Sequence, residues 1–384
     1  MVQTMTLRGA RVAWSATEAA PIDLSVEQGR LRFGTGGSAG PAIDLSGYMI
    51  LPGLINAHDH LEFSLFPRLG AGPYPNATCW ARNIFRPGES PVNEQLRIPK
   101  AVRLTWGGIK NLLAGATTVL HHNPYDPVFR EGFPVKVVER YGWSHSLAFS
   151  RDVARDWKAT PPGAPFFIHA GEGTDGCASS EIFRLQAAGV LGPSTVIVHG
   201  VGLDEKGSSL LQATGGSLVW CPTSNLFTLG RTLSRDVLCS EIPVALGTDS
   251  ALTGMGDLID EIAAAARIVP ADRVYAMVTC AAARILRLNS GEGTLREGGA
   301  ADLLIVRDEG TRPADVLPGM RPAAVIVNGR IKLVSAECAH RFPVEGFHSL
   351  EIEDRGRYLL EFDLPELIAR TGTVPRLAGK LVRA

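Results

Sequence analysis

The chain has 384 residues, 45% hydrophobic and 20% charged, with a formal net charge of −1. It is long enough for a large core, and its evenly spread acidic and basic residues exclude the electrostatic footprint of a nucleic-acid binder. Six cysteines lie far apart without a CxxC pair, which excludes a disulfide scaffold or a zinc ribbon, and no run of about 18 uncharged apolar residues marks a membrane span.

Residues 1 to 50 alternate apolar and polar positions between Gly-rich turns and predict short antiparallel strands. The stretch "LPGLINAHDH" then ends an apolar run with His58 and His60. Residues i and i+2 of a strand share a face, so the two imidazoles converge on one point, where a metal ion is the obvious occupant. Residues 61 to 91 are rich in Pro, Gly and aromatics and lack periodicity, and the expectation is a substrate-covering loop.

Beyond it, short apolar runs alternate with helical patterns to about residue 292, the rhythm of βα units around a parallel sheet. Polar groups follow the apolar runs in series: His121 and His122 after "TTVL", His169 and Glu172 in "FFIHAGEG", His199 in "TVIVHG", Ser224 and Asn225 in "CPTSN", and Asp249 in "LGTDS". In a (β/α)8 barrel the active site lies at the carboxyl ends of the strands, so residues that each follow their own strand would ring one mouth. Residues 293 to 340 return to short strands with Gly turns. The expected plan is a TIM-like barrel over 51–292, compressed in the middle because too few βα units separate "TTVLHH" from "FFIHAGEG". A small β-sandwich built from 1–50 and 293–340 flanks it, and the tail 341–384 has no assignment.

Three imidazoles (His58, His60, His169) and the Asp249 carboxylate form a nitrogen-rich site suited to Zn²⁺, with Fe²⁺ or Mn²⁺ compatible with the same ligands. Such an ion generates a hydroxide nucleophile near neutral pH. Glu172 is the candidate proton shuttle and His199 the candidate group that polarises or orients substrate, with Asp249 serving in catalysis as well as in ligation. His121, His122, Trp80, Tyr74, Ser224 and Asn225 are the candidate substrate contacts, able to stack on and hydrogen-bond a flat nitrogen heterocycle.

The ordered motifs "LPGLINAHDH", "GATTV", "HAGE", "VHG", "CPTSNL" and "LGTDS" resemble the amidohydrolase superfamily, and among its branches the mononuclear cytosine deaminase and triazine hydrolase type. The resemblance covers nearly the whole chain. It implies one metal on His58, His60, His169 and Asp249, with Glu172 as proton shuttle and His199 beside the ion. Binuclear members carry a carboxylated lysine on the fourth strand, and no lysine here ends a clear apolar run in that region. The expected activity is hydrolytic removal of an exocyclic amine from a small heterocycle. Hydrolysis of a cyclic amide or imidazolone is the alternative reading, and a non-catalytic scaffold of the same fold is a third. The expected setting is cytoplasmic, with a small-molecule substrate, no nucleic-acid or membrane partner, and homo-oligomerisation left open.

Overall fold

The computed structural model describes residues 4–34, 40–377 and 379–383. Eight short strands follow the barrel rhythm: β1 (Leu54–Asp59), β2 (Ala116–His121), β3 (Lys136–Val137), β4 (Gly142–Ser146), β5 (Phe166–Ala170), β6 (Thr195–His199), β7 (Ser217–Trp220) and β8 (Val244–Leu246). They form two parallel sheets, β3-β2-β1 and β4-β5-β6-β7-β8. Parallel strands covered on both faces read as continuous apolar runs, because neither face meets water. Accordingly Phe166, Ile168, Ile197 and Leu218 pack outward in the largest core, while Phe167, Val196, Val198 and Val219 fill a second core on the opposite face.

The compression expected in the middle is visible. β3 has two residues, and only residues 138–141 separate it from β4, with no helix between them. At the other seam, β1 and β8 meet through a bridge between Asp59 and Asp249, and the Thr248 amide donates to the His58 carbonyl at 2.9 Å. Gly247 permits this approach, since a Cβ there would lie 2.7 Å from the His58 Cβ.

Both chain ends contribute to one ten-stranded sheet. Tyr48–Pro52 pairs antiparallel with Leu303–Arg307, and Arg11–Ala13 lies on the other side of Tyr48–Pro52. Alternation here serves two cores: Ile50, Leu303 and Ile305 pack with Met5, Leu7, Val26 and Ile43 of a four-stranded sheet. Met49, Leu51, Leu304 and Val306 face the barrel core. The tail, unassigned from its composition, extends the same sheet with His348–Ile352, Gly356–Leu360, Arg376–Leu377 and Lys380–Arg383. Its helix Leu364–Thr371 is joined to the helix Lys100–Leu113 where the Trp106 indole N–H donates to the Thr371 hydroxyl at 2.8 Å.

Residues 61–91 are not the plain covering loop expected from their composition. They contain one 3-10 turn, Leu61–Phe63, and an amphipathic helix, Ala77–Ile84, capped by Asn76, whose side chain accepts from the Cys79 amide at 2.9 Å. This helix is tied to the strand ends: the Ala77 amide donates to the Glu172 carbonyl, the Thr174 amide to the Pro75 carbonyl, and the Asn76 amide group to Asp175 at 2.6 Å. No helix among the described residues is long and apolar enough to cross a membrane.

Candidate metal centre and active site

Seven of the nine histidines (His58, His60, His121, His122, His145, His169 and His199) belong to a barrel strand or follow one directly. Hydrogen bonds on the outer edges of the rings assign which nitrogen carries the proton. His122 Nε2 donates to the Ser144 carbonyl at 3.1 Å, so its Nδ1 accepts from His58 Nδ1 at 3.1 Å and leaves the His58 Nε2 lone pair free. His169 Nδ1 donates to the His145 carbonyl at 2.7 Å, which frees its Nε2 in the same way. Backing of this kind orients imidazoles that ligate metals.

The freed atoms converge. His58 Nε2 and His169 Nε2 lie 3.2 Å apart, His60 Nε2 and His169 Nε2 3.4 Å, and Asp249 Oδ1 lies 3.4 Å from His58 and 3.7 Å from His60. Ligands held at about 2.0–2.1 Å by a tetrahedral ion stand about 3.3–3.4 Å apart, so the spacing of these four atoms suits one such ion. Burial pushes His60, His122 and His169 well below the ordinary histidine range, which keeps their rings neutral and able to ligate. Burial alone would raise the Asp249 carboxyl, but the imidazoles of His58, His199 and His60 around it hold it well below the usual carboxylate range. Its other oxygen accepts the Ser224 hydroxyl at 2.6 Å and the Thr253 hydroxyl at 2.9 Å. The donor set fits one divalent ion. β4 carries no lysine and the buried Lys110 is committed to Asp59, so neither offers the carboxylated lysine of the binuclear type.

Two further groups stand at the rim of this set. Glu172 Oε1 lies 3.5 Å from His199 Nε2, and burial raises the Glu172 carboxyl to about 7. His199 Nδ1 donates to Asn225 Oδ1 at 2.8 Å, which turns its Nε2 toward Glu172 and toward Asp249 Oδ2, 3.9 Å away. His199 and Asp249 both adopt left-handed backbone conformations, φ 75° and 56°. For residues with a Cβ this costs on the order of 1–3 kcal/mol each, strain that is typical of positions held for a purpose.

The centre opens into a cavity of about 580 Å³, reached by His60, His169, Glu172, His199 and Asp249. Among the expected substrate contacts, Trp80 lines this cavity, its indole N–H anchored on the Leu69 carbonyl at 2.9 Å. The other five do not line it. His122 lies behind His58, His121 is fully buried beside Glu62, and Ser224 and Asn225 are spent on Asp249 and His199. Tyr74 turns its hydroxyl back onto Asn83 at 3.0 Å within its own segment. His122, Ser224, Asn225 and Tyr74 each hydrogen-bond within the protein, whereas His121 Nε2 is buried without a hydrogen-bond partner, 3.5 Å from Glu62. Residues the motifs did not reveal line the cavity instead, notably Glu62, Phe63, Asn123, His145 and Phe149. Asn123 and His145 follow or end β2 and β4, so strand-end position was the available signal.

Fold and donor set together define a TIM-barrel-like α/β hydrolase that takes one divalent ion. The chain belongs to the amidohydrolase family, whose model matches residues 139–332. It is 27% identical over 329 residues to the 5-methylthioadenosine/S-adenosylhomocysteine deaminase of Syntrophobacter fumaroxidans, covering 69% of this chain and 73% of that one. It is 23% identical over 342 residues to the 5'-deoxyadenosine deaminase of Methanobrevibacter smithii, covering 72% and 76%. Among solved structures it is similar to a zinc-bound adenosine deaminase from Xanthomonas campestris (TM-score 0.70, 16% identity, 96% and 97% covered). It is also similar to the zinc complex of atrazine chlorohydrolase from Arthrobacter aurescens (TM-score 0.69, 17% identity, 96% and 99% covered).

Proposed function

We propose that this chain is a metal-dependent aminohydrolase that replaces the exocyclic amine of a small nitrogen heterocycle with a carbonyl, and that adenine-type nucleosides are the first substrates to test. The observation that carries the reading is the close approach of His58, His60, His169 and Asp249, with Glu172 and His199 beside them. A divalent ion held by those four residues would supply Lewis acidity and lower the pKa of water there toward neutrality. Glu172, with its carboxyl near 7, takes a proton from the attacking water and returns it to the departing amine, and a group tuned close to working pH suits both transfers. His199, fixed by Asn225, faces the same point and orients the ring atom under attack. Trp80, Phe63 and Phe149 offer flat apolar surface for the heterocycle.

The same reading includes the domain plan. The eight strands close into one barrel over 51–292, supported by the Asp59–Asp249 bridge between β1 and β8. Residues 1–50 and 293–340 form the flanking β-sandwich. An ammonia-release screen with zinc-loaded protein over aminated purines and their nucleosides, pyrimidines, pterins and triazines tests the function. Ammonia from one ring class is the expected result. Ring opening of a cyclic amide without ammonia would overturn it in favour of amide hydrolysis.

A further inference from the structure

A second polar cluster lies beneath the metal shell, and the hydrolytic chemistry does not use it. Asp59, between the ligands His58 and His60, is fully buried against the Lys110 ammonium, 2.9 Å from Oδ2 and 3.1 Å from Oδ1. Lys110 and Asn111 belong to the helix Lys100–Leu113, and the Asn111 amide donates to Asp59 Oδ2 at 2.7 Å. Asn56 completes the cluster. Its Nδ2 donates to Asn111 Oδ1 at 2.8 Å and to the Thr248 hydroxyl at 2.9 Å, and its Oδ1 accepts the backbone amides of His58 at 3.3 Å and Thr248 at 3.2 Å. One connected network therefore joins β1, which carries His58 and His60, to the residue before Asp249 and to the helix outside both.

Placing both members of an ion pair out of water costs several kcal/mol each before their attraction offsets it, so such a pair is a weak source of stability. What the network does set is the separation of β1 from β8. That separation fixes the His58–Asp249 and His60–Asp249 edges of the metal shell, 3.4 and 3.7 Å. We propose that Asp59, with Lys110, is a positioning residue for the metal, which holds the β1 and β8 ligands at coordination distance through Asn56, Asn111 and Thr248. The inference rests on the metal-dependent reading given above.

Zinc affinity of the full-length chain, measured by competition with a chromophoric chelator, tests it. The double substitution Asp59→Asn, Lys110→Met removes the pair without stranding either charge. Thr248→Val removes only the hydroxyl that Asn56 reaches, and keeps the test open if the double variant fails to fold. Supporting interactions of this kind are worth about 10–100-fold in metal affinity, so a rise in zinc Kd of that size is expected for the double variant and about 3–10-fold for Thr248→Val. Lys136→Met is the control. It breaks another buried pair, with Glu292 at 2.8 Å and with Asp302, which touches none of the ligands, so it should lower Tm and leave zinc Kd within about two-fold. A folded Asp59 or Thr248 variant that binds zinc as tightly as the wild type overturns the inference and leaves the metal reading intact. A wild-type chain that takes up no zinc refutes the metal reading and this inference with it.

Discussion

Replacing Glu172 by Gln keeps the shape of the side chain and removes its basic carboxylate. Glu172 is outside the four-atom set, and its Oε1 lies 3.5 Å from His199 Nε2. Zinc Kd should therefore stay within about two-fold while turnover falls about 10²–10⁴-fold, the usual worth of a positioned acid–base group. The contrasting variant is His58→Ala, which deletes an atom that makes two of the measured edges, 3.2 Å to His169 and 3.4 Å to Asp249. A four-ligand zinc site binds with about 10–16 kcal/mol, or about 2.5–4 kcal/mol per ligand, so its loss should weaken zinc by about 10²–10³-fold. Metal content after dialysis, chelator competition and ammonia release on the same preparations separate the two cases. Because burial raises Glu172, its ionised form is a cost to the fold above pH 7, and Glu172→Gln should have a Tm at pH 8 no lower than the wild type. A Glu172→Gln protein that keeps full activity, or one that loses metal as His58→Ala does, would refute the assignment.

Three further outcomes are expected. Glu172 must be ionised to accept a proton, and a bound cation lowers its carboxyl from about 7, so kcat/KM should rise with pH along an acid limb centred below 7; a limb centred above 7, or one unchanged in a residually active Glu172→Gln, would count against it. Ser224→Ala removes the 2.6 Å hydrogen bond that orients Asp249 and should raise zinc Kd about 10-fold with little change in Tm, as read by chelator competition and calorimetry. Glu261, buried against Thr223, has its carboxyl raised to about 8, so the folded chain keeps a proton that the unfolded chain releases near 4.5. Stability then falls as pH rises between those values and levels off above 8; Glu261→Gln should gain in Tm over the wild type across that window, and parallel Tm–pH curves would refute it.

The linear sequence by itself determined the strands that carry the candidate ligands and the chemistry those side chains offer. Apolar runs buried on both faces, each ended by a polar residue, identify barrel strands wherever they occur, and the His58–His60 spacing sends two imidazoles to one point through alternation alone. Those are local properties, set by backbone geometry and residue type. The choice between facing the cavity and backing a ligand was decided only by the tertiary structure. His121 and His122 are neighbours in "TTVLHH", yet one lies against Glu62 and the other behind His58, because adjacent residues on a strand point to opposite sides and different partners wait there. The placement of the tail depends on partners outside it, with Leu360 set against Leu333 and Thr371 against Trp106. Asp59 has the same dependence. Alternation turns it from the face that His58 and His60 share, and the helix Lys100–Leu113 brings the partners, Lys110 and Asn111, that its buried carboxylate needs.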